Sequence, residues 1–557
     1  PPGSTVRYAE TTFHVGSGKA THAIRPPAFS YPAGAIQPPP AYGDIIPFRY
    51  LELIGLPKTL RITDVRQLRL LSTFDTNAAS FTSSSSALDE VWNLCRNTMQ
   101  VLTFDGIYVD GDRERKPYES DAYIHQLSSY AVDREFTMPR YSLEYLLQNP
   151  TWPTEWKFHD IFMAWADYVQ TGEASLLRRH YSELRADSFE WAAPGGALMK
   201  GFPNFPQKTN SDVVDWPACD RDGFIIGDGP NLNWTNSVNN ALYYHGLRLM
   251  ANIAAAIGRT NEAARYSTRS AQVYTAYNTA FWNDVAKCYM DGVGVDHASA
   301  HANFFPLAFG LVPPSRQPAV LSFLHSRIAS HGGMPCSVYA AQYLLEALFT
   351  AGDADTAIGL ITTNGPRGWL NMITLGSTLT TEAWNFRDKP NMDWNHAWGA
   401  APGNLIARFI LGLRPLVPGF GKVLIQPRLG TTLLYADGTI PTIRGPVSIC
   451  VSNAPASFQM RLNIPGNVTA TVMLPAAHAT KAVAVVDGKM LSGALSNNWL
   501  VLKNIGAGRH VIELERTTTP PSPGFYAKQG AASFHESTAE PVVAHPAADP
   551  PDEGTSH

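Results

Sequence analysis

At 557 residues, 45% of them hydrophobic, the chain is too long for one ordinary core and has the apolar content to bury several. Its 43 Lys+Arg against 47 Asp+Glu leave a formal net charge of -4, which argues against nucleic acid and against a polyanionic cation sink alike. Five cysteines, Cys95, Cys219, Cys288, Cys336 and Cys450, are odd in number, far apart and in no metal-ligand spacing, so neither a disulfide framework nor a zinc site is expected.

In chain order, Thr5 to about Leu71 is strand-like text with Gly/Pro punctuation, as in Phe48-Arg49-Tyr50-Leu51-Glu52-Leu53, and residues 1–80 are predicted to form a small N-terminal β domain or the end of one. A Ser/Thr-rich linker, Phe81 to Ser86, then leads into Ala87 to Cys95, where apolar residues recur at helical spacing and Ser86 with Asp89 resembles a capping box. Residues 81–414 are dominated by the helical period. Helices are predicted at Trp156 to Val169, Ser175 to Trp191, Ser237 to Ile257, Glu262 to Phe281, Gln317 to Ile328 and Ser337 to Ala351. Ten to twelve such helices in series, with little strand signal, predict a mainly α domain built as a helical (α/α) barrel or toroid of hairpins.

After Gly412-Leu413-Arg414-Pro415 the texture turns to strands at Lys422 to Gln426, Pro446 to Val451, Phe458 to Ile464, Val468 to Leu474 and His510 to Leu514. Residues 415–516 therefore read as a C-terminal β-sandwich, and 517–557, rich in Pro, Ala, Ser and Glu, as a disordered tail. The chain opens on Pro1 without a signal peptide, so a removed leader or upstream domain is expected, with a secreted or periplasmic home favoured. No apolar run approaches a membrane span, and a soluble protein is expected. Asn233-Trp234-Thr235 and Asn467-Val468-Thr469 match the glycosylation sequon, a short pattern that often arises by chance.

One segment concentrates charge in a sequence otherwise poor in it. Val109-Asp110-Gly111-Asp112-Arg113-Glu114-Arg115-Lys116-Pro117-Tyr118-Glu119-Ser120-Asp121 carries eight charged side chains in thirteen positions. A loop needing only solubility spreads its charges, whereas carboxylates set against guanidinium groups can hold two acids in different protonation states, as cleavage of a glycosidic bond requires. The 13 Trp, 22 Tyr and 25 Phe, many beside Gly, Pro, Asn or Asp, suit the C–H faces of sugar rings, although at least half of them must fill cores.

Arg113-Glu114-Arg115 to Asp121 resembles the acid motif of the α-L-rhamnosidases of glycoside hydrolase family 78, in which an Asp, an Arg-Glu-Arg, an aromatic residue and a second Asp occur in this order. Tyr118 stands where that family usually has Trp. Further matches follow in order: Asp215-Trp216 resembles the Gly-Asp-Trp element with Val214 for glycine, His301 to Leu307 a loop and helix start, and Thr381-Glu382-Ala383-Trp384 with Trp394-Asn395-His396-Ala397-Trp398-Gly399 the segment of the second catalytic carboxylate. Two departures stand out. Glu119-Ser120 replaces a small Thr-Gly, and the first Asp is displaced by one position, leaving both Asp110 and Asp112 as candidates. The family also usually carries further N-terminal β domains, so a truncated or minimal form is expected.

The resemblance implies a six-hairpin glycosidase that releases α-L-rhamnose with inversion, Glu114 as general acid and Glu382 as general base, with the carboxyl groups about 6.5–9.5 Å apart. Substrate contact is expected from Asp110, Asp112, Arg113, Arg115, Tyr118, Asp121, Asp215, Trp216, Trp384, His396 and Trp398. Glu114 should have a raised pKa, with Arg113 and Arg115 pointing elsewhere and one of them fixing Asp110 or Asp112. His396 or Asn395 is expected to orient Glu382 or its water. His301 reads as structural, and Glu155 and Asp160 as lesser candidates for the mouth of the site. No cofactor or metal is called for, and the expected partner is a carbohydrate. The alternatives are the same barrel acting on another deoxy sugar, or on a uronic acid met by Lys116 or Arg387, a polysaccharide lyase, and an inactive carbohydrate-binding homologue.

Overall fold

The structure is a computed structural model that describes residues 8–515 apart from 15–20, 28–29, 49, 56–60, 191–192, 194–196, 201–211, 226–234, 455–456 and 477–482. The tail from 517 and the Asn233 sequon lie outside the described residues. No helix among those described is long and apolar enough to cross a membrane.

Helices alternate between an outer and an inner layer. The outer ones are α1 (Ser86–Val101), α3 (Met138–Gln148), the broken pair α5 (Ser175–Arg179) and α6 (Tyr181–Ala186), α8 (Thr260–Ala280), α10 (Gln317–His331) and α12 (Ala354–Ile361). The inner ones are α2 (Glu119–Val132), α4 (Phe158–Thr171), α7 (Ser237–Ala256), α9 (His301–Ala308), α11 (Ala341–Thr350) and α14 (Ala401–Leu405), with a short helix α13 (Trp369–Thr374) beside α1. Each inner helix packs against the next, and α14 returns to α2, so the ring closes as a six-hairpin barrel.

Burial follows from sequence. Outer helix α8 buries only the stripe Tyr266, Ser270, Val273 and Tyr277, the one-faced pattern of a surface helix. Inner α7 and α9 are buried nearly all round, which their apolar and small residues permit. Each fully buried Leu or Phe contributes about 1.5–3 kcal/mol, so the closed ring is the main reservoir of stability. The predicted helix Ser175 to Trp191 is broken at His180, whose backbone leaves the helical region. The cap of α1 is Ser85 rather than Ser86: its hydroxyl accepts the Leu88 N–H at 3.4 Å, while Asp89 accepts the Ser83 hydroxyl at 2.8 Å.

The C-terminal region holds two sheets. The larger runs β1 (Ser80–Ser83), β8 (Tyr435–Ile440), β9 (Val447–Ala454), β10 (Ser457–Ile464), β16 (Gly508–Glu515), β12 (Val483–Val486) and β13 (Lys489–Ser492). The smaller runs β14 (Ala494–Ser496), β15 (Trp499–Ile505), β11 (Thr469–Pro475), β7 (Lys422–Ile425) and β6 (Leu413–Pro415). β1 departs from expectation. The Ser/Thr stretch read as a linker is an edge strand, with Ser80 opposite Thr439 and its alternate residues Phe81 and Ser83 buried.

The N-terminal β domain does not appear among the described residues. Among the described residues between Tyr8 and Ala79 the only regular element is a turn of 3-10 helix at Ile62–Asp64. Prolines at 26, 27, 32, 38, 39, 40 and 47 remove ladder donors, and Phe48, Tyr50 and Leu51 stand exposed with no neighbouring strand. The segment is instead a strap: Ile36 packs on Ile107 and Val109, and its N–H donates to Arg115 O at 2.9 Å.

Candidate active site

The segments that enter the inner helices at their N-terminal ends converge on one end of the barrel. A tight hairpin, β2 (Thr103–Phe104) and β3 (Ile107–Tyr108), delivers residues 109–118 to the start of α2, and the long connection between α13 and α14 carries Glu382 and Asp393. The two loops are zipped together. Gly111 bridges His396, the Ala397 N–H donates to Asp110 O at 3.0 Å, and the N–H groups of Asp112 and Arg113 reach Asn395 Oδ1 at 3.2 Å and Asp393 Oδ1 at 3.0 Å. A Cβ on Gly111 would lie 2.5 Å from Asn395 O, so only glycine permits this approach.

The zipper brings Glu114 and Glu382 to one guanidinium. Arg113 donates through Nη1 to Glu114 Oε1 at 2.6 Å and through Nη2 to Glu382 Oε1 and Oε2 at 3.2 and 3.4 Å. Arg113 therefore does not point away from the acid, contrary to expectation. Arg115 does: it lies over Phe104 and Tyr31, donates to Ile45 O at 3.0 Å and pairs with Asp112 at 3.2 Å, tying the strap to the loop.

Glu114 also accepts the Tyr118 hydroxyl at 2.7 Å. Burial alone would raise its pKa, but the Tyr118 and Arg113 donors outweigh that and hold the carboxyl below its usual range, the reverse of what the sequence led us to expect. Glu382 is more enclosed. Its carboxylate takes the Asp393 N–H at 2.9 Å and faces Lys389 Nζ at 3.4 Å, while its own backbone is held by Asp393 O and by the Trp398 indole.

Beneath them lies a buried polar layer. His396 contacts Asp121 at 2.9 Å and Asp393 at 3.7 Å. Burial works against its charge, yet these two carboxylates raise its pKa well above the usual range. Burial raises Asp121, and raises Asp110 far more, with Asp393, Asp121 and Glu114 adding to the effect on Asp110 and His396 opposing it. Ligand atoms of Asp110, Asp393 and His396 lie within 4.8 Å of one another, but Arg113 Nε at 3.9 Å from Asp393 already supplies a cation there. Of the two candidate aspartates, Asp110 sits in this layer and Asp112 is turned to Arg115.

Other expected contacts are not placed to meet a ligand. Asp215 is fully buried, accepts the Ser337 and Trp216 N–H groups at 2.9 Å each and contacts His301 Nε2 at 2.6 Å, which also gives His301 its structural role. Trp384 is buried with its indole donating to Cys336 O at 2.7 Å, and Trp398 is buried against Tyr339, Trp156 and His396. These rings are walls of the site. Trp216 is half-buried, with Lys389 Nζ 5.4 Å from its ring centre.

Val214, where the family has glycine, holds φ +56, a region that β-branched residues avoid. Glu155 keeps it there by accepting the Val213 and Val214 N–H groups at 2.5 and 2.7 Å, so Glu155 is a buried brace rather than part of the mouth. Asp160 is likewise buried, and burial pushes its carboxyl well above the usual range. The uronide candidates are spread out, Lys116 over the Tyr118 ring and Arg387 exposed. Asp393 and Lys389 escaped the sequence reading. Their one signal was proximity to the matched Trp394-Asn395-His396 stretch.

Comparison with known proteins agrees with this fold. Residues 76–410 match the bacterial alpha-L-rhamnosidase 6 hairpin glycosidase domain, and 412–489 the bacterial alpha-L-rhamnosidase C-terminal domain. Relatives include an alpha-L-rhamnosidase of Formosa agariphila, 24% identical over 77% of this chain and 47% of its own length, and one of Alteromonas sp., 22% identical over 63% and 37%. Among solved structures, an alpha-L-rhamnosidase from Dictyoglumus thermophilum superposes with a TM-score of 0.71 at 19% identity over 83% of this chain and 53% of that one. The Streptomyces avermitilis enzyme complexed with L-rhamnose gives 0.64 at 19% identity over 80% and 42%. The chain spans less than half the length of these two curated relatives. On its barrel, its C-terminal sheets and these matches, the chain belongs to the bacterial α-L-rhamnosidase family of six-hairpin glycosidases.

Proposed function

We propose that this chain hydrolyses terminal α-L-rhamnosides with inversion, Glu114 acting as general acid and Glu382 as general base. The observation that carries the reading is the single Arg113 guanidinium shared by two carboxylates in unlike settings. Glu382, buried among an N–H, Lys389 and Arg113, suits the carboxylate form that takes a proton from water. That water attacks the anomeric carbon from the face opposite the leaving group, the C–O bond breaks, and Glu114 supplies a proton to the departing oxygen.

Glu114 must first gain that proton. Substrate hydroxyls that draw Arg113 or Tyr118 away would leave burial, the largest influence on this carboxyl, to raise its pKa on binding. Asp110 and Asp121 are the proposed hydroxyl-binding carboxylates, with Trp216 the best placed of the expected rings for a C–H face. The names of the relatives and the L-rhamnose in the Streptomyces avermitilis structure support the choice of sugar.

The test is NMR of the first-formed anomer from an aryl α-L-rhamnoside, with Glu114→Gln and Glu382→Gln beside the parent. Release of the β-anomer, lost in both variants, is expected. Release of the α-anomer sinks inversion, activity confined to another glycoside moves the specificity, and silence on every glycoside sinks the reading.

A further inference from the structure

The departure at Glu119 has a structural answer. Glu119 and Lys157 form a fully buried ion pair at 2.8 Å, and their remaining bonds go to one short stretch of backbone. The Thr151 N–H donates to Glu119 Oε1 at 2.9 Å and the Thr151 hydroxyl to Glu119 Oε2, while Lys157 Nζ donates to Thr151 O at 2.6 Å and to Pro153 O at 3.1 Å. The clamp grips both sides of Trp152, which Pro150 and Pro153 stiffen further.

Trp152 itself is 46% exposed, although Pro153 to Lys157 behind it are buried. Its indole lies near enough to the Tyr118 hydroxyl to favour that group's ionised form slightly, and that hydroxyl donates to Glu114 Oε2 at 2.7 Å. An exposed ring is thus held one residue away from the proposed acid. Replacing a buried ion pair by apolar groups is often neutral or stabilising, so bulk stability does not explain this one. Its geometry fixes a position, and a ring fixed before binding forfeits little entropy when a ligand stacks on it.

We propose that Trp152 is the stacking platform of the leaving-group subsite, taking a ring with a flat or apolar face, with Glu119 and Lys157 as positioning residues. This rests on the reading of Glu114 as the acid. The oxygen that Glu114 protonates belongs to the leaving group, so a ring beside Tyr118 and Glu114 lies along that group. An aromatic aglycone and the C–H face of a pyranose offer the same surface.

The experiment compares kcat/KM for methyl α-L-rhamnoside, an aryl α-L-rhamnoside and a rhamnosyl-glucose disaccharide in the parent, Trp152→Ala and Trp152→Phe. The readout is the preference for each ring-bearing substrate over the methyl glycoside; a disturbance of Tyr118 and Glu114 slows the two alkyl-type leaving groups together and raises the aryl preference, opposite in sign to loss of the platform. Trp152→Ala should lower that preference roughly tenfold, mainly through KM, while Trp152→Phe keeps it within about threefold. Glu119→Gln, which leaves Lys157 unpaired, should lower the same preference. A loss confined to the aryl substrate assigns the subsite to aromatic aglycones, and a loss in both ring-bearing substrates assigns it to ring faces generally. An unchanged preference in Trp152→Ala, with the parent active, overturns the subsite alone. A parent that releases nothing from any of the three sinks the rhamnosidase reading and the subsite with it.

Discussion

The two carboxylates that share Arg113 live in opposite surroundings. The Glu114 side chain is 27% exposed, on a loop covered by the N-terminal strap and opening toward Trp152. That of Glu382 is 3% exposed, inside a loop that folds back so that Asp393 and Trp398 hold both its carboxylate and its backbone. The contrast teaches how one barrel end supports the two proposed roles. A group that meets varied leaving groups needs an open side, whereas a group that handles only water is better enclosed.

The strongest way to break the comparison is to remove each acid in turn. Glu382→Gln should lower kcat on every rhamnoside by roughly 10²–10⁴-fold. Glu114→Gln should do so on alkyl leaving groups but much less on a good aryl leaving group, which needs little protonation. Equal losses on both leaving groups would remove the distinction between the two sides.

Next in size is the brace behind the open side. Lys157→Met leaves Glu119 buried and unpaired and should lower unfolding free energy by about 3–5 kcal/mol, read from denaturant midpoints. A midpoint unchanged from the parent would show that the pair holds nothing. Arg113→Lys, which cannot fork between two carboxylates, should lower kcat roughly tenfold to a hundredfold with a smaller change in KM.

Tyr118→Phe should have the smallest effect, roughly tenfold or less in rate at any one pH. The missing hydroxyl no longer stabilises the Glu114 carboxylate, so the carboxyl pKa rises. Because the acid must be protonated, kcat/KM falls as pH climbs through that pKa, and the alkaline limb should move to higher pH. A limb that moves to lower pH would reverse the assignment of Glu114.

Much of the barrel was legible because its helices are long, apolar runs set off by Gly- and Pro-rich loops. Ser237 to Ile257 was expected and Ser237–Ala256 formed. The cluster around Glu114 was legible too, as charge concentrated where solubility did not need it. Orientation was not. Whether Arg113 faces its neighbour depends on Glu382 and Asp393, which are brought near only by closure of the ring. Likewise Asp215, Trp384 and Trp398 look like sugar contacts in a motif, and become walls once His301, Ser337, Cys336 and the Glu382 carbonyl supply their partners. The expected N-terminal strands are missing among the described residues for a simpler reason: alternation such as that along Tyr50 to Leu53 makes a strand only where another strand lies alongside.

Strand β1 has one more consequence, in the order of synthesis. Ser80–Ser83 precede the whole barrel, yet their partner Tyr435–Ile440 follows it. At ribosomal speed the first strand waits on the order of tens of seconds for its neighbour, so most of the barrel's helices emerge while that edge is still bare. Once β8 arrives, the pairing staples the two sides of the barrel sequence to one sheet, and fraying at either end of the barrel then has to break a sheet as well.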